Sequence, residues 1–319
     1  MKMLTILFLA ANWRVSLIKA FQDTKANSNT PVQLIAVDSD SLAPSLKIAD
    51  QSHCLPLFSD SSCLESLLTI CRKLTIDAIV PLTNNAIDFL DKYREELSSQ
   101  NRRLFIPESF AIKVCHDKWN LWKFMIQERF KSPRTFLLAE SEPPDIFPLI
   151  AKERKGEGGK NQSIIENQRD LDYCMEKYPN HIFQEFIQGK EFSVDLFADV
   201  NGVPKLIIPR DRLSVRGGEV MTSRIDMNKS IIVSVEALSR RLGLTGPCTM
   251  QGIQDKNGKF FFTDLNLRFG SGSVHTIAAG GNIPLMIYQE MAGQDFLNPS
   301  IQDKSIMTRY LENIFHQPQ

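Results

Sequence analysis

The stretch FFFTDLNLRFGSG, residues 260–272, opens as an apolar strand and turns polar on one face before a glycine-rich turn. Alternate side chains of a strand share a face, so Asp264, Asn266 and Arg268 project together while Thr263, Leu265 and Leu267 point the other way. Upstream, CTMQGIQDKNGKFFFTDLN holds Asn257 and Gly258, a favoured pair for a type I′ hairpin turn. A two-residue turn there, or a symmetric four-residue one, sets Gln251 opposite Asp264 and Thr249 opposite Asn266, with paired Cβ atoms about 5 Å apart. Gln251, Asp264 and Asn266 then form a compact set of oxygen donors beside the cation Arg268. Such hard donors suit magnesium, which takes one or two carboxylates and completes its octahedron with water and nucleotide phosphates. An ordinary hairpin with one solvated face has the same pattern, so the rest of the chain must decide.

A chain of 319 residues is long enough for two or three domains. Its 37 basic and 37 acidic residues cancel, which argues against nucleic acid or an anionic membrane as a partner. The six cysteines, at 54, 63, 71, 115, 174 and 248, form no CxxC pair and no metal-type spacing, and read as buried reduced thiols of a cytoplasmic protein. The apolar run in MKMLTILFLAANW is too short to span a bilayer and lacks a small-residue cleavage site, so a buried first strand is expected.

From there strands and helices alternate. LTILFLA, VQLIAVDS and DAIVPL read as strands, and VSLIKAFQDTKA, SCLESLLTICRKL and AIDFLDKYREELSSQ as helices, which implies a parallel sheet with right-handed crossovers. The first turn reads AANWR, without the glycines a dinucleotide pyrophosphate needs. A boundary falls near RLFIPESFAIKVCHDKWNLWKFM, and the pattern changes after it.

Residues 147–166, FPLIAKERKGEGGKNQSIIE, read as strand, glycine-rich loop, strand. The amides of Gly156, Gly158 and Gly159 can approach phosphate oxygens unhindered, and Lys152 supplies charge; a solvated hairpin tip is the competing reading. KEFSVDLFAD puts Glu191, Ser193 and Asp195 on one strand face. PRDRLSVRGGEV gathers Arg210, Arg212 and Arg216 before Gly217 and Gly218, a basic cluster suited to a carboxylate or phosphate, or else a set of solvated loop arginines. The five histidines form no cluster.

In order and spacing these segments resemble the ATP-grasp enzymes, in particular short proteins similar to the large subunit of carbamoyl phosphate synthase. The resemblance implies a mixed α/β and α+β architecture: a Rossmann-like preATP-grasp domain with a parallel sheet over residues 1–107, then an ATP-grasp domain over 108–319, its small lobe near 116–187 and its large lobe near 188–319. Asp117 and Lys118 are similar to the family's opening helix motif, and AKERKGEGG to its lysine and phosphate loop. QEFIQGKEFSVD resembles the hinge, which implies that the Glu185–Phe186–Ile187 segment offers backbone groups to adenine and Glu191 reaches the ribose. PRDRLSVRGGE is similar to a basic loop of the short members. Gln251, Asp264 and Asn266 fall where the family holds two magnesium ions, and Arg268 where it meets the phosphates or the intermediate.

The resemblance implies an ATP-dependent ligase that joins a small-molecule carboxylate to an amine through an acyl phosphate, with Mg, or Mn in its place, and with a homodimer left open. Lys152 and Arg268 would be its catalytic cations. A kinase-like phosphotransferase and a nucleotide-binding regulatory protein are the alternatives. The chain departs from the family where it reads DLNLR instead of E-I-N-P-R, and aspartate is one methylene shorter than glutamate.

Overall fold

The computed structural model describes residues 2–137, 140, 146–156 and 161–315. The chain begins with β1 (Leu4–Leu9), α1 (Val15–Lys25), β2 (Val32–Asp38), β3 (Gln51–Cys54), α2 (Cys63–Leu74), β4 (Ala78–Pro81), α3 (Asn84–Lys92), α4 (Arg94–Ser98) and β5 (Arg103–Leu104). The five strands form a parallel sheet in the order β3-β2-β1-β4-β5. Every residue of β1 is buried, with Leu7 and Leu9 in one core and Ile6 and Phe8 in another, as befits a parallel strand covered on both faces.

One strand here has no counterpart in the sequence reading, and one expected helix is broken. β3 reads QSHC, mostly exposed at the sheet edge, and so carries no apolar signal. AIDFLDKYREELSSQ is two helices, because Tyr93 leaves helical geometry at φ −116° and ψ 36°. Asp38 closes β2 as a turn residue, its Oδ2 accepting from Asn12 N at 2.7 Å and its Oδ1 from Asp40 N at 3.0 Å.

After α5 (Ser109–Cys115) and α6 (Lys118–Gln127) come β6 (Thr135–Phe136), β7 (Leu149–Glu153), β8 (Ser163–Ile165), α7 (Gln168–Lys177) and β9 (His181–Glu185). These strands form an antiparallel sheet, β6-β9-β7-β8, over a small core of its own that includes Leu149, Leu171 and Phe183. The remainder is β10 (Gly189–Ala198), β11 (Pro204–Arg216), β12 (Glu219–Ile225), α8 (Lys229–Leu242), β13 (Gly246–Asp255), β14 (Phe260–Asn266), α9 (Ser273–Ala278), α10 (Ile283–Met291) and β15 (Ile306–Thr308). Its antiparallel sheet runs β14-β13-β10-β11-β12-β15. Phe192, Phe262 and Leu265 of that sheet share a core with Ile79, Leu90 and Leu104 of the first domain. The six-stranded sheet of the large lobe is thereby fused to the N-terminal sheet, Leu121 and Met125 of α6 join the same core, and the four-stranded sheet of the small lobe packs on its own.

The β13–β14 hairpin corrects the expected turn. Asp255 N donates to Lys259 O at 2.9 Å and Gly258 N to Asp255 O at 3.0 Å, leaving a three-residue loop in which Gly258, at φ +77°, takes the left-handed position. That loop pairs Gly252 with Phe262, one residue out of the expected register. A bulge at Thr263 then restores it, so Gln251 faces Asp264 and Thr249 faces Asn266 as expected. The bulge also changes which positions are buried. Phe260 and Phe262 lie in the core before it and Leu265 and Leu267 after it. This is why the strand is apolar at its start and polar on one face at its end.

Candidate active site

A cavity of about 370 Å³ opens between the small and large lobes, and the N-terminal domain adds Arg14 to its wall. Its floor is a row of residues in register across four strands: Arg210 of β11, Ser193 of β10, Gln251 of β13 and Asp264 of β14. In the next row Asp195 stands beside Thr249, and Thr249 beside Asn266. The strand alternation that brings Glu191, Ser193 and Asp195 to one face sends Phe192, Val194 and Leu196 into the core.

Gln251, Asp264, Asn266 and Arg268 all line the cavity. Thr263 does too, contrary to the expected alternation, because the bulge turns it to the side of Asp264. Asp264 Oδ1 accepts from Leu265 N at 3.0 Å, and Arg268 Nη1 donates to Phe269 O at 3.0 Å. Among the described residues no group of three or more His, Cys, Asp or Glu side chains gathers as a metal cluster. The donor set is one carboxylate and two amide oxygens on a single face, which fits one magnesium ion that draws its other ligands from phosphates and water.

The small lobe supplies the opposing cations. Lys152 Nζ donates to Gln184 Oε1 at 2.7 Å. Burial pulls the Lys152 ammonium down to about 8, with Asp264 opposing the shift, Lys118 adding to it and Glu191 opposing it. Asp117 is the N-cap of α6, accepting from Trp119 N and Asn120 N, and it also pairs with Arg154 at 2.8 Å. Lys118 Nζ then reaches Gly156 O at 2.7 Å, at the start of the glycine loop. Gly158 and Gly159 lie outside the described residues.

Glu191 pairs with Arg212 Nη1 at 3.2 Å, and both line the cavity. Burial lowers the affinity of Arg212 for its proton, opposed by Glu191. Glu185, Phe186 and Ile187 are not part of the cavity wall. The amide of Glu185 donates to Arg134 O at 2.8 Å and that of Phe186 to Pro148 O at 3.2 Å, which spends those two donors within the protein at the end of β9.

The expected loop of arginines is instead a strand. Arg210 is fully buried on β11, where its Nε donates to Asp195 Oδ2 at 2.8 Å. Asp195 also accepts from Thr249 at 2.8 Å, from Ser273 at 2.7 Å and from Thr276. Burial alone would raise the Asp195 carboxyl, but Arg210 and the hydroxyls of Thr276 and Ser273 hold it below its usual value. Thr249 Oγ1 and Ser273 Oγ accept from Gly270 N at 2.8 and 2.9 Å, so the Asp195 network fixes the turn that follows Arg268. Arg216 is exposed at the tip of β11 and, with Gly217, lies away from the cavity, whereas Gly218 lines it.

Sequence reasoning missed Arg14, Thr249 and Ser271 as cavity residues. Register pointed to Thr249, since it pairs with Asn266; no local signal marks Arg14, whose place depends on how the domains dock. His275 is not a cavity residue. It bonds Ser223 Oγ at 2.9 Å, and burial together with Arg210, against Asp195, pulls it down to about 4, so it is neutral near pH 7. The cysteines are unpaired; Cys54 is exposed, against expectation, and the other five are buried. Among the described residues no helix is long and apolar enough to cross a membrane.

Two families match the chain in tandem: residues 6–104 fit the PylC-like, N-terminal domain and residues 115–272 the ATP-grasp domain. Carbamoyl-phosphate synthase of Methanobrevibacter smithii is 23% identical over 231 residues, covering 70% of this chain and 57% of the relative. The chain spans between 38% and 57% of the length of the curated relatives it matches. Among solved structures, N5-carboxyaminoimidazole synthetase from Staphylococcus aureus complexed with ADP superposes with a TM-score of 0.76 at 16% identity, over 97% of this chain and 82% of the other. Biotin carboxylase from Campylobacter jejuni gives 0.73 at 19% identity, over 95% and 75%. With two matched domains in the order the fold displays, and a cation-and-oxygen-lined cleft beside the second, the chain carries a PylC-like N-terminal domain followed by an ATP-grasp domain.

Proposed function

We propose that this chain is an ATP- and magnesium-dependent ligase joining a carboxylate to an amine through an acyl phosphate, with release of ADP and phosphate. The observation that most supports it is the meeting, in one cavity, of Lys118 and Lys152 from the small lobe with Gln251, Asp264, Asn266 and Arg268 from the large lobe. Magnesium, held by Asp264, Asn266 and Gln251, would neutralise phosphate charge when bound. Lys152 and Lys118 hold the phosphate end of the nucleotide, Glu191 meets the ribose, and Arg268 faces the charge that develops on the transferring phosphoryl group. A carboxylate oxygen attacks the γ-phosphorus while the β–γ bridging bond breaks, leaving ADP; the amine then attacks the acyl carbon and phosphate departs. Arg210, Arg212 and the Gly217–Gly218 turn serve the substrate side. The unpaired thiols favour the cytoplasm.

The experiment is a screen of carboxylates and amines for ADP release, with product mass measured and hydroxylamine present in a parallel set. Hydroxamate appearing in step with ADP supports the acyl phosphate, and stoichiometric AMP overturns it. A stable phosphorylated product would mark a phosphotransferase. Nucleotide binding without turnover on any pair would mark the regulatory reading, which the single short carboxylate, Asp264, favours.

A further inference from the structure

Arg210 is the charged member of the floor row that the nucleotide and metal reading leaves without a defined task. Its Cα stands at the opposite end of the row from Asp264, three strand spacings or roughly 14 Å away. Its Nε is committed to Asp195, while its Nη1 is fully buried and has no hydrogen-bond partner. Arg210 is among the residues lining the cavity, and its Nη1 lies behind Gly272, another lining residue, where a Cβ would come within 2.2 Å of it. A buried donor left unsatisfied costs free energy, which a ligand oxygen reaching it would recover.

Arg14 lines the same cavity from the other domain. It follows β1 in the first strand-to-helix turn, the carboxyl edge of the parallel sheet where open α/β sheets place ligands. The turn is set by Asp38, which takes the amide of Asn12, and by Arg14 N donating to Ala11 O at 3.0 Å. AANWR, unfit for a pyrophosphate, thus carries a guanidinium into the ATP-grasp cleft.

We propose that Arg14 and Arg210 Nη1 form a subsite for a non-reacting carboxylate, either the second carboxylate of a dicarboxylic acid or the carboxylate of an amino acid that supplies the amine, anchored across the two domains. This rests on the ligase reading above. A carboxylate is favoured over a phosphate because Asp195 already cancels the charge of Arg210, so the subsite offers directed donors more than excess positive charge. The core shared by the N-terminal domain and the large lobe holds the two walls of the subsite in fixed relation.

The test uses the full chain loaded with the magnesium salt of the non-hydrolysable analogue AMPPNP. The probes are the twenty amino acids and the aliphatic dicarboxylic acids, with the matching monocarboxylic acids, primary amides and inorganic phosphate as controls, read by thermal shift and calorimetry. The best-binding acid is expected to lose about tenfold or more in affinity when its anchoring carboxylate is amidated, and again in Arg14→Gln, with AMPPNP affinity unchanged. Arg210→Lys should give the same loss; if it fails to fold, Arg14→Gln, a partly exposed position, decides alone. The proposal is overturned if no acid binds, if phosphate or the matching compound without the anchoring carboxylate binds as tightly, or if Arg14→Gln binds the best acid as well as the parent does. Loss of AMPPNP binding by the parent itself would overturn the nucleotide reading instead, so the two failures are distinguishable.

Discussion

Lys152 Nζ sits 2.7 Å from Gln184 Oε1, and Gln184 Nε2 in turn donates to Thr135 Oγ1 at 3.0 Å. The lysine is therefore aimed by a neutral acceptor instead of being cancelled by a carboxylate. Burial brings it to about 8, below its ordinary value of 10.5. The folded state thus disfavours the charged form, a penalty present in full below about pH 8 and relieved as pH rises from there towards the unfolded value. Affinity for nucleotide phosphates should run the opposite way, falling as pH rises through about 8 as the charge is lost. Lys152→Arg should remove that fall and Lys152→Ala should weaken MgATP binding at all pH values, both read by calorimetry from pH 6.5 to about 9.5. A flat profile in the parent protein would remove Lys152 from the phosphate site.

Asp264 is the sole carboxylate of the proposed donor set. Asp264→Asn keeps its size and removes its charge, so magnesium-dependent turnover should disappear while the fold persists, since the side chain is only half-buried. Asp264→Glu adds the methylene the family usually has and is expected to retain or raise turnover. Full activity in Asp264→Asn, measured as ADP release across a magnesium titration, would dismiss the metal assignment.

How far the sequence carried these conclusions depended on the range of the signal. β1 and the alternation around Glu191, Ser193 and Asp195 were legible because a strand writes its burial with period two. The pairing of Gln251 with Asp264 was legible although its expected turn was wrong: the three-residue loop moves the register by one, and the bulge at Thr263 moves it back. β3 was hidden because an exposed edge strand needs no apolar residues. Arg210 was misplaced for a physical reason. An arginine within a basic cluster looks solvated in sequence, and only the tertiary partners Asp195, Thr249, Ser273 and Thr276 make its burial tolerable. Arg14 was invisible because docking of the domains brings it to the cleft.

The buried Asp195–Arg210 pair makes a stability prediction. Removing one charge leaves the other uncompensated, so Asp195→Asn should cost about 3–5 kcal/mol in urea unfolding. The carboxyl is held below its ordinary value of 3.8, so its stabilising contribution is intact above that pH and is lost as pH falls through the lowered value. Asp195→Asn should accordingly flatten the acid limb of stability below about pH 4. A loss under about 1 kcal/mol would show that the hydroxyl network, not the ion pair, holds the Gly270 turn.

The bulge at Thr263 supports a test that separates register from composition. Deleting Thr263 removes the extra residue, so the three-residue loop then pairs Gln251 directly with Asp264 in unbroken alternation. Phe260, Phe262, Leu265 and Leu267 would all stay in the core, and Asp264 and Asn266 would stay on the cavity side. The deletion should therefore keep magnesium-dependent nucleotide binding within about tenfold of the parent. Inserting one alanine between Asp264 and Leu265 changes the length of the chain by the same amount but turns Leu265 and Leu267 outward and Asn266 inward, because a one-residue slip exchanges the faces of a strand. That variant should lose nucleotide binding and much of its stability. Calorimetry with the AMPPNP–magnesium complex and thermal unfolding of both variants decide it: equal damage from deletion and insertion would mean that the bulge shapes the site itself, beyond restoring its register.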